Sequence, residues 1–224
     1  MTAVATSTTR RKSRRRAPAP EPKCDTRPSS PWGPGWGQSG PTQTELKRER
    51  LWQSLIEDGW RAEIISGRII VSPWTKRRHA QLVHRVQLQL FEFTIDKGWE
   101  FYQNWAVHIP PHRGDKRIPD LLIAPPDSPE FDDNQAYGDG TILVVEITSS
   151  DNRDDDLKVK PAEYARAGVP IMLIVDEFSE PRSVTLLSDP RDGEYRSMTK
   201  VDEGEQLKLP EPFGIALDTG PIFL

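Results

Sequence analysis

At 224 residues with a single cysteine, the chain has room for one domain and a tail or for two small domains, and it cannot build a disulfide framework or a cysteine-based zinc site. Its net charge of −4 is unevenly placed: residues 1–40 hold eight Lys/Arg against two Asp/Glu, so this arm carries +6 and the remainder −10. No apolar run reaches the roughly 18 residues of a membrane span, and no apolar stretch follows the basic RRKSRRR run as an export signal would require, so a cytoplasmic protein is expected.

Residues 1–41 lack hydrophobic periodicity and are rich in Ser, Thr, Arg, Pro and Gly, so a disordered tail is predicted, with Trp32 and Trp36 incidental to it. A basic arm on an acidic body suits a polyanionic partner; a solvated tail without a partner is the alternative. One folded domain is expected over 42–224. Residues 42–58 read as a helix, capped by Thr42 or Thr44, with Leu51, Leu55 and Trp52 toward a core and Gly59 as the stop. WRAEII, Ser66-Gly67 and RIIVS form a hairpin closed by Pro73.

Residues 76–97 carry the strongest helical pattern, with Leu82, Val86, Leu90 and Phe93 recurring near a period of 3.6. GWEFYQNWAVHIP reads as one strand, and RIPDLLIAP as another. A long polar loop then leads to strand 141–148. A helix over 153–167 ends at Gly168 and contains Pro161, which a helix interior resists. VPIMLIVD is a strand, SVTLLS and GEYRSMTK pair antiparallel, and LKLPEPFGIAL makes the last edge. Interleaved strands and helices with hairpins predict an α/β fold: a mixed central sheet flanked by helices.

Two apolar strands each carry one carboxylate, Asp120 and Glu146. Acids in buried strands are rare unless paired or bound to metal. Alternation puts Ile142, Val144, Glu146 and Thr148 on one face, and an antiparallel partner would set the start of one strand beside the end of the other. Two such carboxylates form a hard oxygen site for Mg²⁺ or Mn²⁺. On the following helix Asp156, Lys160 and Tyr164 share a face at i, i+4, i+8. A lysine there can hold a water and stabilise charge on phosphorus. Taken blandly, Asp156–Lys160 is a surface ion pair, Tyr164 a packing residue, and the Asp154–Asp156 run a solvated helix start. The histidines lack HExxH spacing, DDNQAYGDG lacks EF-hand spacing, and no GxSxG, P-loop or GxGxxG occurs.

The string GRIIVSP, RRH, RIPDLLI, LVVEITSS, RxxDLxxKxxxYARAGVP, LIVD resembles the restriction-endonuclease family labelled Uma-two, within the PD-(D/E)XK superfamily, over residues 58–217. The resemblance implies a restriction-endonuclease-like fold and metal-dependent DNA cleavage. It implies that Asp120, Glu146 and the Ile147 backbone carbonyl hold Mg²⁺ or Mn²⁺. Lys160 would be the catalytic lysine, because Thr148 stands where the superfamily lysine would be. Glu63 and His79 match accessory positions. Pro161 disfavours the α conformation at Lys160, so either the helix kinks or it begins near Pro161, and Lys158 is a rival lysine. The expected partner is DNA, with RNA as the alternative substrate; no membrane is expected, and a homodimer is permitted. A groove of Arg68, Lys76, Arg77, Arg78, Arg113, Lys116 and Arg117 would receive the nucleic acid. The rival reading is a catalytically inactive nuclease fold that binds nucleic acid or another partner.

Overall fold

The computed structural model describes residues 40–224, apart from Trp74, Arg113 and Asp151. The expectations for residues 1–39, including Cys24, Trp32 and Trp36, and for Arg113 lie outside the described residues. Helix α1 (Gln43–Glu57) starts on a capping box: Glu45 N–H donates to Thr42 Oγ1 and Thr42 N–H to the Glu45 carboxylate. Its buried residue is Trp52; Leu51, expected in the core, is exposed, because the helix buries the stripe one residue further round. The Trp52 indole N–H donates to Ala62 O at 2.7 Å, which fastens α1 to strand β1 (Arg61–Ile65). The hairpin to β2 (Arg68–Ser72) turns at Ser66 and Gly67, both at positive φ, and both amides donate to the Asp115 carboxylate.

Helix α2 (Arg77–Asp96) buries Leu82, Val86 and Leu90 completely, as its period requires. The strand expected over 98–110 is two strands, β3 (Glu100–Tyr102) and β4 (Ala106–His108), broken at Asn104, which takes a left-handed φ of 63°. They belong to different sheets. The next expected strand also divides, into β5 (Lys116–Arg117) and β6 (Leu121–Ala124), with Pro119 between them. The polar loop that follows holds β7 (Glu130–Asp132) and β8 (Gln135–Ala136) before β9 (Leu143–Ile147). A π turn (Asp155–Val159) leads into α3 (Lys160–Ala167), closed by Gly168 at φ 82°. Then come β10 (Ile171–Asp176), the long hairpin of β11 (Ser183–Arg191) and β12 (Glu194–Asp202), the pair β13 (Gln206–Lys208) and β14 (Ala216–Asp218), and the short α4 (Gly220–Phe223).

The strands make two six-stranded mixed sheets, where a single central one was expected. The first has the order β2-β1-β5-β4-β8-β7 and the second β12-β11-β10-β9-β6-β3. The pair β13-β14 stands apart as its own small sheet. In the second sheet β9 and β10 run parallel, joined through α3, and β6 pairs antiparallel with β9. Leu143, Val145 and Ile147 face the core that α2 covers, while Val144 faces the core around Tyr164 of α3. Helices therefore cover both faces of this sheet, and Glu146 points to the α3 side.

Candidate active site

The register between β6 and β9 pairs Leu121 with Val145 and Leu122 with Val144, so one residue earlier Asp120 lies opposite Glu146. Residues directly opposite in an antiparallel pair hold their Cβ atoms roughly 5 Å apart on one face. The bond from Asp120 N–H to Val145 O, at 3.1 Å, continues the ladder to that point. Both carboxylates line one cavity of about 610 Å³, together with Arg61, His79, Asp156 and Lys160.

The two acids are held differently. Asp120 Oδ2 accepts from Ile147 N–H at 2.9 Å and lies 3.0 Å from His79 Nε2. Its Oδ1 accepts from the Arg61 guanidinium at 2.8 Å. Burial alone would raise this carboxyl, but the His79 hydrogen bond and the Arg61 charge outweigh it and hold Asp120 well below the usual carboxylate range. Burial likewise disfavours charge on His79, yet the bond to Asp120 lifts it above its ordinary value. Glu146 is 1 % exposed. Its Oε1 accepts from Tyr164 Oη at 2.6 Å and its Oε2 from Lys160 Nζ at 2.7 Å. Burial, reinforced by the Asp120 and Asp156 carboxylates, pushes Glu146 up to about 7 in spite of Lys160.

Pro161 shapes the arrival of Lys160. Proline has no N–H for the carbonyl one turn back. The chain widens there into the π turn, and Lys160 N–H bonds back to Asp155 O. Lys160 itself is α (φ −57°, ψ −39°), so Pro161 sits in the first turn of α3 and the conformation it disfavours at its predecessor is adopted all the same. Lys160 Nζ also reaches Asp156 Oδ1 at 2.8 Å. Burial opposes its charge, but four surrounding carboxylates, Glu146 foremost, raise it, so it stays protonated. The rival Lys158 is 70 % exposed and pairs with Asp154.

Asp155 and Asp156 are not a solvated run: Asp156 is buried on Lys160, and Asp155 binds Arg117 at 3.0 Å. Tyr164 packs, as expected, but also donates to Glu146. Lys116 lines neither cavity, and Arg117 meets the site cavity from a buried position. Lys116 is sealed between the Trp52 ring and Glu49, and Arg117 is buried among Glu63, Glu163 and Asp155. Lys76 and Arg78 both line the cavity, Arg78 paired there with Glu177. Glu63 gives both oxygens to Ile118 N–H and Arg117. Thr148, in place of the superfamily lysine, donates to Asp176, whose carboxylate Arg153 grips at 2.6 Å. Sequence reasoning missed Arg61, whose partner lies 59 residues on. Only strand pairing brings the two together, and no local pattern marks it.

Among the described residues, no group of three or more His, Cys, Asp or Glu could hold a metal ion. Asp120 and Glu146 offer carboxylate oxygens to the cavity, with Asp156 beside them. That set suits Mg²⁺ or Mn²⁺, which keep several waters, and not a closed cage. A carboxylate has about four acceptor positions. Asp120 has used three and Glu146 two, so each retains capacity. No helix among the described residues is long and apolar enough to cross a membrane.

Residues 48–220 match the family model described as Uma2, putative restriction endonuclease. Among solved structures the chain is similar to a putative nuclease belonging to DUF820 from Anabaena variabilis ATCC 29413, with a TM-score of 0.55 and 14% sequence identity over 72% of this chain and 89% of that one. That likeness shows a shared fold. No curated protein matches the chain.

Proposed function

The chain belongs to the Uma2 family of restriction-endonuclease-like proteins, and on that premise we propose that it is a metal-dependent endonuclease hydrolysing DNA phosphodiester bonds. The observation that carries this reading is the meeting of Glu146, Lys160 and Asp120 in one cavity, with Lys160 Nζ 2.7 Å from Glu146 Oε2. Asp120, Glu146 and the Ile147 carbonyl would hold Mg²⁺ or Mn²⁺; when bound, such an ion neutralises charge on the phosphate and activates water.

Each protein group then has a stated task. Lys160, kept protonated, donates to the attacking water or to a non-bridging phosphate oxygen, which positions the one and stabilises charge on the other. Tyr164 and Lys160 fix Glu146 from two sides. Ile147 N–H and His79 fix Asp120, so His79 is a positioning residue. Glu63 acts at one remove, by orienting Arg117 against the π turn that delivers Lys160. One P–O bond forms to the water oxygen as the bond to the leaving oxygen breaks.

A second reading draws on a specific observation: protein donors already touch every oxygen of both carboxylates. A nuclease fold that binds nucleic acid without cutting it would be built this way too. Nicking of supercoiled DNA with Mg²⁺ or Mn²⁺ separates the readings, with an RNA substrate run beside it. Cutting that requires the ion and disappears in Asp120→Asn supports the enzyme. Binding without cutting, unaltered by Asp120→Asn, would overturn it.

A further inference from the structure

The two oxygens of Asp120 have unlike partners. Oδ2 is bound to the frame of its own sheet, through Ile147 N–H of β9 and His79 at the start of α2. Oδ1 is met by Arg61, which opens β1 of the other sheet. Arg61 also donates to Ile118 O at 2.5 Å. Its side chain is 26 % exposed, whereas that of Asp120 is 5 % exposed. Arg61 lines the site cavity and also a neighbouring one of about 580 Å³. It therefore has open space beside it and an anchor in a separate sheet, while Oδ2 keeps Asp120 aimed without it.

We infer that Arg61 is the resident cation of Asp120 Oδ1: a divalent ion and this guanidinium are alternative occupants of the same oxygen, and the displaced Arg61 engages a non-bridging oxygen of the substrate phosphate. This rests on the reading of the site as a nuclease. The physical reason is that a buried carboxylate without a counter-charge is costly. Arg61 supplies that charge in the ion-free protein. Once an ion supplies it instead, the guanidinium is free beside the cavity, and its planar fork matches a phosphate. The exchange keeps Asp120 paired throughout.

A merely structural Arg61 and a competing Arg61 predict opposite signs. If Arg61 only holds Asp120 in place, removing it loosens the carboxylate and weakens ion binding. If it competes, removing it strengthens ion binding. The test titrates the full-length protein with Mn²⁺ and follows free ion by electron paramagnetic resonance, without nucleic acid. Arg61→Met should bind Mn²⁺ about tenfold more tightly than the parent chain, and Arg61→Lys, which keeps the charge but loses the fork, should fall between. Arg153→Met removes a nearby charge that does not touch Asp120 and should leave the affinity within about twofold. In the nicking assay Arg61→Met should be slower despite its tighter ion, with Arg61→Lys partly rescued. Thermal melts of each variant report folding, and the lysine variant keeps the test alive if the methionine variant fails to fold. Mn²⁺ affinity that is equal or weaker in Arg61→Met, or an equal gain in Arg153→Met, overturns the competition. Undiminished nicking in Arg61→Met overturns the phosphate role. If Mn²⁺ binds the parent chain and is lost in Asp120→Asn, but Arg61→Met changes nothing, this inference falls while the site reading stands; if no variant binds Mn²⁺, both fall.

Discussion

Lys116 and Lys160 are both buried lysines with a carboxylate within 2.7 Å, and they differ in what surrounds the pair. Lys116 lies 3.6 Å above the Trp52 ring and pairs with Glu49, 40 % exposed, near His108 in the first sheet. Burial dominates there and lowers its affinity for a proton. Lys160 sits in the second sheet's cavity among Glu146, Asp156, Asp120 and Glu63, and these raise it. A buried charge is thus not by itself a sign of chemistry. The sign is a surplus of carboxylates around the cation, opening on space that a substrate can enter.

The largest effect should separate the two lysines by activity. Lys160→Met is expected to lower nicking by about 10³-fold, the usual scale for losing one charge-stabilising donor, with DNA binding largely kept. The variant also leaves Glu146 and Asp156 without their cation. Glu146 can answer by taking a proton, so its folded carboxyl lies further above its unfolded value. Stabilisation by that proton grows as pH falls, and the thermal deficit of Lys160→Met against the parent should shrink between pH 8 and pH 6. If Lys116→Met lost as much activity as Lys160→Met, with its fold intact, the distinction between the two regions would collapse.

The next effect belongs to the Lys116 side and is read in stability. His108 stacks on Phe131, and burial together with Lys116 pushes its imidazole down to about 4. An unfolded histidine titrates near 6.5. Between those values the unfolded chain binds a proton that the folded chain refuses, so folding stability falls as pH drops from about 6.5 to about 4. The stability at stake is present above pH 6.5 and on the order of 2–3 kcal/mol, allowing for partial exposure. Denaturant melts across this range should show the slope in the parent and a smaller one in His108→Phe. An unchanged slope would remove the first sheet's claim to be a region of stability alone.

A smaller effect sharpens the site itself. Tyr164→Phe removes the donor to Glu146 Oε1 and leaves the packing around α3 intact. Net hydrogen bonds to charged groups contribute about 1.5–3 kcal/mol, and Lys160 still holds Glu146. Nicking should fall about tenfold, with little change in DNA affinity, measured as kcat against KM. An unchanged kcat with a lowered melting temperature would make Tyr164 a packing residue after all.

Much of this was legible in the residues, for physical reasons. Strand alternation put Glu146 on one face with Val144 and Thr148, and the antiparallel pairing of 121–124 with 143–147 sets Asp120 opposite it. Helical spacing joined Asp156 to Lys160. What was not legible depends on contacts between distant segments. Arg61 and Arg117 are each anchored across the fold, and a lone arginine at a strand end or before a Pro-Asp pair reads as a surface charge. The break of 98–110 at Asn104 turned one expected sheet into two, because nothing in the apolar pattern marks a change of sheet. Pro161 marks a break in the helix, but the π turn that absorbs it is a backbone answer that periodicity cannot supply.

The smallest expected effect completes the contrast from the other side. Lys116→Met keeps roughly the volume over the Trp52 ring and removes an ion pair whose second member, Glu49, reaches solvent. Replacing a buried pair member with a well-packed apolar side chain is often neutral or stabilising, provided the partner is not left buried. The change should lie within about 1 kcal/mol of the parent, with nicking unaffected. His108 also loses a neighbouring positive charge, so its imidazole should rise from about 4 and the acid slope should flatten slightly. A loss of several kcal/mol would mean that the cation over Trp52 holds the first sheet together, and that charge in this region is as tightly committed as it is around Lys160.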